Sequence, residues 1–245
     1  MDVENHIDIN HALFGVFLLG LIVGFGAGVV SPYGNSGEAD TGIVELRNPE
    51  YPFEGIEAGV SEGEGNENST FDVEGEPYLG TGDTRIVAYE DFECPFCKRY
   101  SDGAFPQVID NHVRTGEATY YFKQYPLQGI HPWAIRAAMA SECALNQDAE
   151  VFWTFKQGFY DRQSQLKNAY KTGNFDSSMT RWAEQTGLDV EKFDQCYTDG
   201  AEMEEIREDA EQGGRIGTPT IFVEEQKISG AQPYSIFENA INSVN

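Results

Sequence analysis

Positive charge is scarce in this 245-residue sequence: 16 Lys and Arg stand against 41 Asp and Glu, a formal net charge of -25. Such an excess repels phosphate backbones and anionic headgroups, which argues against nucleic-acid binding and against docking on an anionic membrane surface. Cysteine is sparse too, with Cys94, Cys97, Cys143 and Cys196 the only four. An even number suits two disulfides, which persist only in an oxidising compartment. The other use of four thiolates, a zinc site, wants two close pairs, and Cys143 and Cys196 stand far apart. Zinc is the weaker reading, and no cofactor is called for. Met1 to His11 carries no Lys or Arg, and Gly26-Ala27-Gly28 is a poor match to a cleavage site, so the marks of a removable signal peptide are missing. There is no internal repeat.

What is present begins with an apolar run from Ala12 to Val30, about 19 residues, close to what a helix needs to cross a bilayer. The expectation is an uncleaved transmembrane anchor at 12–30 behind a polar tail at 1–11, with the cysteines placing the large C-terminal part outside the cytoplasm. Gly20, Gly24 and Gly28 recur at a spacing that lets two such helices approach as a weak dimer, although glycine is common in membrane helices generally. From 31 to 77 the composition turns to Gly, Glu, Asn, Ser and Pro. Stretches such as Ser61-Glu62-Gly63-Glu64-Gly65-Asn66-Glu67-Asn68 bury too little to offset ordering entropy, so the segment reads as a flexible acidic linker. Asn68-Ser69-Thr70 fits an N-glycosylation acceptor. Acidity spread over linker and domain alike, with few lysines, is also the composition of proteins that work in dense salt, where screening relieves self-repulsion. An acidic linker on a moderately acidic domain is the blander account.

The folded domain is expected over 78–245. Arg85 to Asp91 reads as a strand, and Cys94-Pro95-Phe96-Cys97 follows it directly, with Pro95 suited to the first turn of a helix. Two cysteines so spaced at a strand-helix junction read as a redox pair, because the helix N-terminus can hold a thiolate. That helix is expected to reach 112–114, bent at Pro106, before a second strand at Ala118–Gln124. Helical spacing then governs Trp133–Leu145, Glu150–Asp161, Met179–Thr186, Val190–Tyr197 and Ala201–Gln212, an insert over about 132–213. Strands return at Thr220–Glu224 and Lys227–Ser229, with a last helix from Pro233 to Ile241.

Four motifs carry a resemblance: Asp91-Phe92-Glu93-Cys94-Pro95-Phe96-Cys97-Lys98, His131-Pro132 opening a helix, Gly217-Thr218-Pro219-Thr220 before a strand, and Gly230-Ala231-Gln232-Pro233 before the last helix. With these, residues 78–245 resemble the DsbA family of thioredoxin-fold thiol-disulfide oxidoreductases. The resemblance implies an α/β, thioredoxin-like fold with a helical insertion. It also implies an exposed, low-pKa Cys94 that exchanges with substrate, a shielded Cys97 that resolves, and a cis bond before Pro219 that opens the Thr218 backbone to an extended substrate segment. An ordinary trans turn is the other reading of Pro219.

Phe96 stands in the dipeptide that tunes potential in the family. Unlike a His it lends the thiolate no charge, which implies a less strongly oxidising pair. Relatives carry a Glu six residues before the first cysteine; here that position is Ala88, and Glu90, on the same face of an alternating strand, is the candidate replacement. A surface Glu90 is the alternative. Cys143 and Cys196 are expected to form a structural disulfide, as in some secreted relatives, with a second redox relay or two buried thiols as other readings. His131 suits capping or packing, and secondarily the edge of the site; Trp133, Trp153 and Trp182 suit the core of the insert. The functional reading is a membrane-anchored, extracytoplasmic oxidase that passes the Cys94-Cys97 disulfide to exported proteins and is reoxidised by a membrane partner. Its rivals are an isomerase or reductase, and a redox-silent peptide-binding holdase.

Overall fold

Ile86, Val87, Ala88, Tyr89 and Glu90 run consecutively without a solvent-facing position, the pattern of a strand covered on both sides. In the computed structural model, which describes residues 41–63 and 71–244, they belong to the strand at the middle of one sheet. Its members are β1 (Ala58–Val60), β2 (Pro77–Leu79), β3 (Thr84–Glu90), β4 (Ala118–Gln124), β5 (Thr220–Val223) and β6 (Gln226–Ser229), in the order β1-β2-β4-β3-β5-β6. β3 and β4 are parallel, in register from Thr84 opposite Ala118 to Glu90 opposite Gln124. β5 runs antiparallel on the other side of β3, with Tyr89 opposite Thr220. That register brings the residues just before β5 beside the residues just after β3.

Between β3 and β4 lie α1 (Pro95–Asp102), α2 (Ala104–Val108) and a π-helical turn, Ile109–Val113. The single helix expected to 112–114 breaks at Gly103, where a Cβ would stand 2.9 Å from the Arg99 carbonyl oxygen. Pro106 then falls in the first turn of α2, where its missing N-H is harmless. The insert holds α3 (Ala134–Leu145), α4 (Ala149–Asp161), α5 (Gln163–Thr172), α6 (Phe175–Gln185), α7 (Val190–Asp199) and α8 (Met203–Gly213), and α9 (Tyr234–Val244) follows the sheet. α5 went unforeseen because only Leu166 and Ala169 of its residues are buried, too few to set a period.

One face of the sheet, with Ile86, Ala88, Tyr120, Phe122, Ile221 and Val223, joins a continuous core with Phe105, Phe159, Phe237 and the three tryptophans. Trp133, Trp153 and Trp182 are all buried, as the sequence suggested. The opposite face, with Val87, Tyr89 and Phe222, packs against Val73 and Phe71.

Residues 41–63 and 71–77 correct the linker expected over 31–77. Leu46, Phe53 and Ile56 are part of the core, and the Phe53 ring lies 5.7 Å from Phe105 and 6.1 Å from Trp153. The backbone is held as well: Ser178 Oγ accepts from Val44 N at 2.9 Å, Gln185 Oε1 accepts from Leu46 N at 2.9 Å, and Trp182 Nε1 donates to Val44 O at 2.9 Å. Glu76 is buried with Lys123 Nζ at 2.5 Å, and the same ammonium reaches Asp209 Oδ1 at 2.7 Å. The apolar residues here are scattered among Gly, Glu and Pro, with no period of their own. They fill gaps in a surface made by the rest of the chain, which local composition does not reveal. Among the described residues no helix is long and apolar enough to cross a membrane. The expected anchor at 12–30, with Gly20, Gly24 and Gly28, lies outside the described residues.

Candidate active site

β3 ends at Glu90, and within four residues the chain turns into α1. Cys94 is the N-cap of that helix, extended at φ -68° and ψ 123°, with Pro95 at the first helical position. Its N-H donates to Asp91 O at 3.0 Å, and its carbonyl accepts the first helical bond from Lys98 N at 3.1 Å. The N-H groups of Phe96 and Cys97 therefore face the Cys94 sulfur rather than a carbonyl. The pair is in its dithiol form.

The two sulfurs are made unequal. The Cys97 thiol donates to Cys94, and with Thr218 and the two helix N-H groups it outweighs burial and lowers the Cys94 thiol from 9.0 to about 6. Burial pushes the Cys97 thiol well up, and the Cys94 and Glu90 charges push in the same direction. Cys97 Sγ accepts from Asp91 N at 3.4 Å and has no solvent exposure.

Thr218 and Pro219 lie where the β3–β5 register puts them. The Thr218-Pro219 bond is cis, and the protonated Cys94 sulfur donates to Thr218 O at 3.4 Å. The buried Thr218 hydroxyl has no other partner and stands ready to donate to the thiolate. Cys94 was expected to be exposed, but only 3% of it is. The loop before β5 closes over the sulfur, whereas Phe96 beside it is 51% exposed. Ile130, 72% exposed, is a second bare apolar residue on the segment leading to α3.

Glu90 is wholly buried, not a surface residue. Its carboxylate accepts from Tyr120 Oη and Tyr160 Oη, each at 2.8 Å, and Lys156 Nζ stands 3.7 Å away. Lys156 is itself buried, 3.8 Å above the Phe105 ring, and desolvation lowers its pKa. Alternation along β3 put Glu90 and Ala88 on one face, and that face is the one beneath Cys97.

Asp91 organises the turn. Its buried carboxylate accepts from Glu93 N at 2.8 Å, Leu127 N at 2.8 Å and His131 Nδ1 at 2.7 Å. His131 thus belongs to the edge of the site rather than to a helix cap. Glu93 Oε2 accepts from Trp133 N at 2.7 Å, which ties the start of α3 to the same turn.

One participant was missed. Gln163, the first residue of α5, donates through Nε2 to Phe92 O at 2.8 Å and to Cys94 O at 3.0 Å. Both carbonyls belong to the redox turn, so the insert holds that turn directly. No sequence signal marks this glutamine, since its partners are backbone atoms more than sixty residues away.

Cys143 and Cys196 form a disulfide between α3 and α7, with Cα atoms 5.8 Å apart and a sequence separation of 53. This removes the reading as two buried thiols. A nucleophilic thiolate, a shielded second thiol, hydrogen-bond donors around the first sulfur and a buried carboxylate near the second are the parts needed for thiol-disulfide exchange.

Known proteins resemble this chain in sequence and in fold. A disulfide bond formation protein D from Bacillus subtilis is 27% identical over 179 residues, covering 69% of this chain and 77% of that protein. An Na(+)/H(+) antiporter NhaA 1 from Mycolicibacterium vanbaalenii is 34% identical over 143 residues, 56% of this chain. The chain spans only 21% of the length of that antiporter. Among solved structures, alpha-DsbA1 from Wolbachia pipientis superposes with a TM-score of 0.59 at 22% identity, over 69% of this chain and 89% of that one. Oxidised BdbD from Bacillus subtilis gives a TM-score of 0.58 at 21% identity, over 69% and 91%. The family model described as thioredoxin matches residues 73–243, and the chain belongs to that family.

Proposed function

We propose that this chain is a protein thiol-disulfide oxidoreductase acting as an oxidase, which donates the Cys94-Cys97 disulfide to exported proteins outside the cytoplasm. The observation that carries this is the inequality of the two sulfurs: Cys94 lowered to about 6, Cys97 pushed well up. A client thiolate attacks Cys94 Sγ, the Cys94-Cys97 bond breaks, and its electron pair passes to Cys97, which takes up a proton. A second client thiolate then attacks the client sulfur of the mixed disulfide, and Cys94 leaves as a stabilised thiolate. Client dithiol becomes disulfide, and the enzyme becomes dithiol.

Glu90 fits the role of proton relay for Cys97, its carboxylate oriented by two tyrosines and a buried lysine. Glu90→Gln should slow exchange about a hundredfold and flatten its pH profile. An unchanged profile removes Glu90 from the mechanism. The exposed Phe96 and Ile130 offer apolar surface to an unfolded client, and the Thr218 backbone offers it a strand-like partner. Turnover requires an electron-accepting partner, for which the apolar run at 12–30 supplies a membrane anchor. The acidic composition suits work in high salt.

The test is oxidative refolding of a reduced client in high salt, alongside the equilibrium potential of the Cys94-Cys97 pair. The oxidase reading expects catalysed refolding that Cys94→Ser abolishes. A strongly reducing potential would favour the reductase instead, and client binding without turnover would favour a holdase.

A further inference from the structure

The dipeptide between the two cysteines, Pro95-Phe96, contributes no charge, yet an imidazole reaches the site from elsewhere. Asp91 is its holder, and this residue engages both redox cysteines through its backbone. Its carbonyl accepts from Cys94 N at 3.0 Å, and its N-H donates to Cys97 Sγ at 3.4 Å. Its carboxylate, fully buried, grips the loop ahead of α3 at two points, Leu127 N at 2.8 Å and His131 Nδ1 at 2.7 Å. Nδ1 is thereby committed as a donor, which leaves Nε2 to gain or lose the proton. The His131 side chain is 13% exposed, so its charge is only weakly screened.

Asp91 and Glu93 place two carboxylates in the turn that carries Cys94. A neutral His131 would leave the thiolate among like charges; an imidazolium offsets them. Resting on the reading that Cys94 is the exchanging sulfur, we propose that His131, clamped by Asp91, is the counter-ion of the Cys94 thiolate and supplies the charge that Phe96 does not.

The electrostatics run the same way. The hydrogen bond to Asp91 raises the His131 pKa against burial, and the charges of Asp91, Cys94 and Glu93 add to it. Other charged groups that face this corner are Lys167 of α5, which acts on Glu93, and the buried pair Glu90 and Lys156, both of which act on Cys97. The expectation that Phe96 makes the pair less oxidising is then offset: stabilising the thiolate stabilises the dithiol form and makes the disulfide the stronger oxidant.

Two measurements on the full chain test this. In the first, the thiolate absorbance of Cys94 is titrated in the wild type and in His131→Gln, whose amide can still donate to Asp91. The midpoint should rise by about one pH unit, and the equilibrium constant against glutathione should shift about tenfold towards a more reducing pair. The second needs no substitution: the His131 imidazole is titrated by NMR in the dithiol and disulfide forms. Coupling is reciprocal, so its midpoint must fall when Cys94 enters the disulfide. A His131 midpoint indifferent to redox state, or an unmoved Cys94 midpoint in a folded His131→Gln, overturns the proposal. Neither result touches the oxidase reading, which is judged by client refolding and Cys94→Ser. A chain with coupled midpoints but no refolding activity would sink the oxidase reading alone.

Discussion

Reduced protein should gain stability over its Cys94→Ser variant as the pH rises from 6 to 8. In the folded chain the Cys94 thiol is lowered from 9.0 to about 6. Between those values the unfolded state binds more protons than the native state, so stability rises with pH. The contribution is lost as pH falls through the folded value of about 6 and is complete only above 9. For one site so displaced it amounts to about 0.4 kcal/mol at pH 6, about 2.7 kcal/mol at pH 8 and about 4 kcal/mol at its limit. Cys97, pushed up by burial, stays protonated in both states below about pH 8 and leaves this window clean. The assay is urea denaturation at pH 6 and pH 8, with the Cys94-Cys97 bond reduced and Cys143-Cys196 intact in both proteins. The gap between wild type and Cys94→Ser should widen by about 2 kcal/mol. The disulfide form of the wild type, which has no thiol to titrate at this site, should run parallel to the Ser variant. A gap that stays constant over the range would mean that Cys94 does not ionise early in the native state, and the leaving-group argument would fall with it.

Gln163→Ala removes the side-chain donor shared by Phe92 O and Cys94 O, the latter keeping its bond from Lys98 N; a loss of about 1–3 kcal/mol in urea denaturation and slower exchange are expected, and a variant matching the wild type in both would reduce the bridge to a bystander. Replacing Cys143 and Cys196 together by Ala should cost about 4 kcal/mol, given their separation of 53 residues, while Cys94-Cys97 exchange at low temperature persists. If exchange vanished in a folded variant, the relay reading of this pair would gain over the structural one. Lys123→Met leaves Glu76 and Asp209 buried without their cation, so a loss of about 3–5 kcal/mol is expected. Hydrogen exchange should then rise first in residues 71–79, and unaltered protection there would refute the view that this lysine holds the segment down.

The middle of the sheet was legible because its signals are local. Arg85–Asp91 and Ala118–Gln124 carry their own strand pattern, the cysteine spacing marks the helix start, and alternation puts Glu90 on the face of Ala88, which only the structure shows to be the inner one. The Thr218-Pro219 pairing with Cys94 followed from resemblance, and the structure gives its cause in the antiparallel β3–β5 register. What stayed hidden depends on surfaces that exist only after folding. Leu46, Phe53 and Val73 have no period and are buried by partners far along the chain. Gln163 bonds backbone atoms, which leave no trace in residue type. The burial of Cys94 is likewise set by how closely one loop approaches another, a distance of a few ångströms that spacing cannot express.

If the proposed function holds, the ends of the strand order have a bearing on how the protein survives its own clients. A sheet that meets unfolded chains is in danger of recruiting them at its flanks, since a free strand side offers a row of unpaired N-H and C=O groups. Here one flank is β1, only 3 residues long, and the other is β6, 4 residues long with Lys227 in solvent. Both are too short or too charged to template a growing stack. The amino-terminal segment that supplies β1 and β2 therefore acts as a seal against aggregation, and removing it would expose the edge of β4 at Tyr120 and Tyr121, where β2 pairs with it.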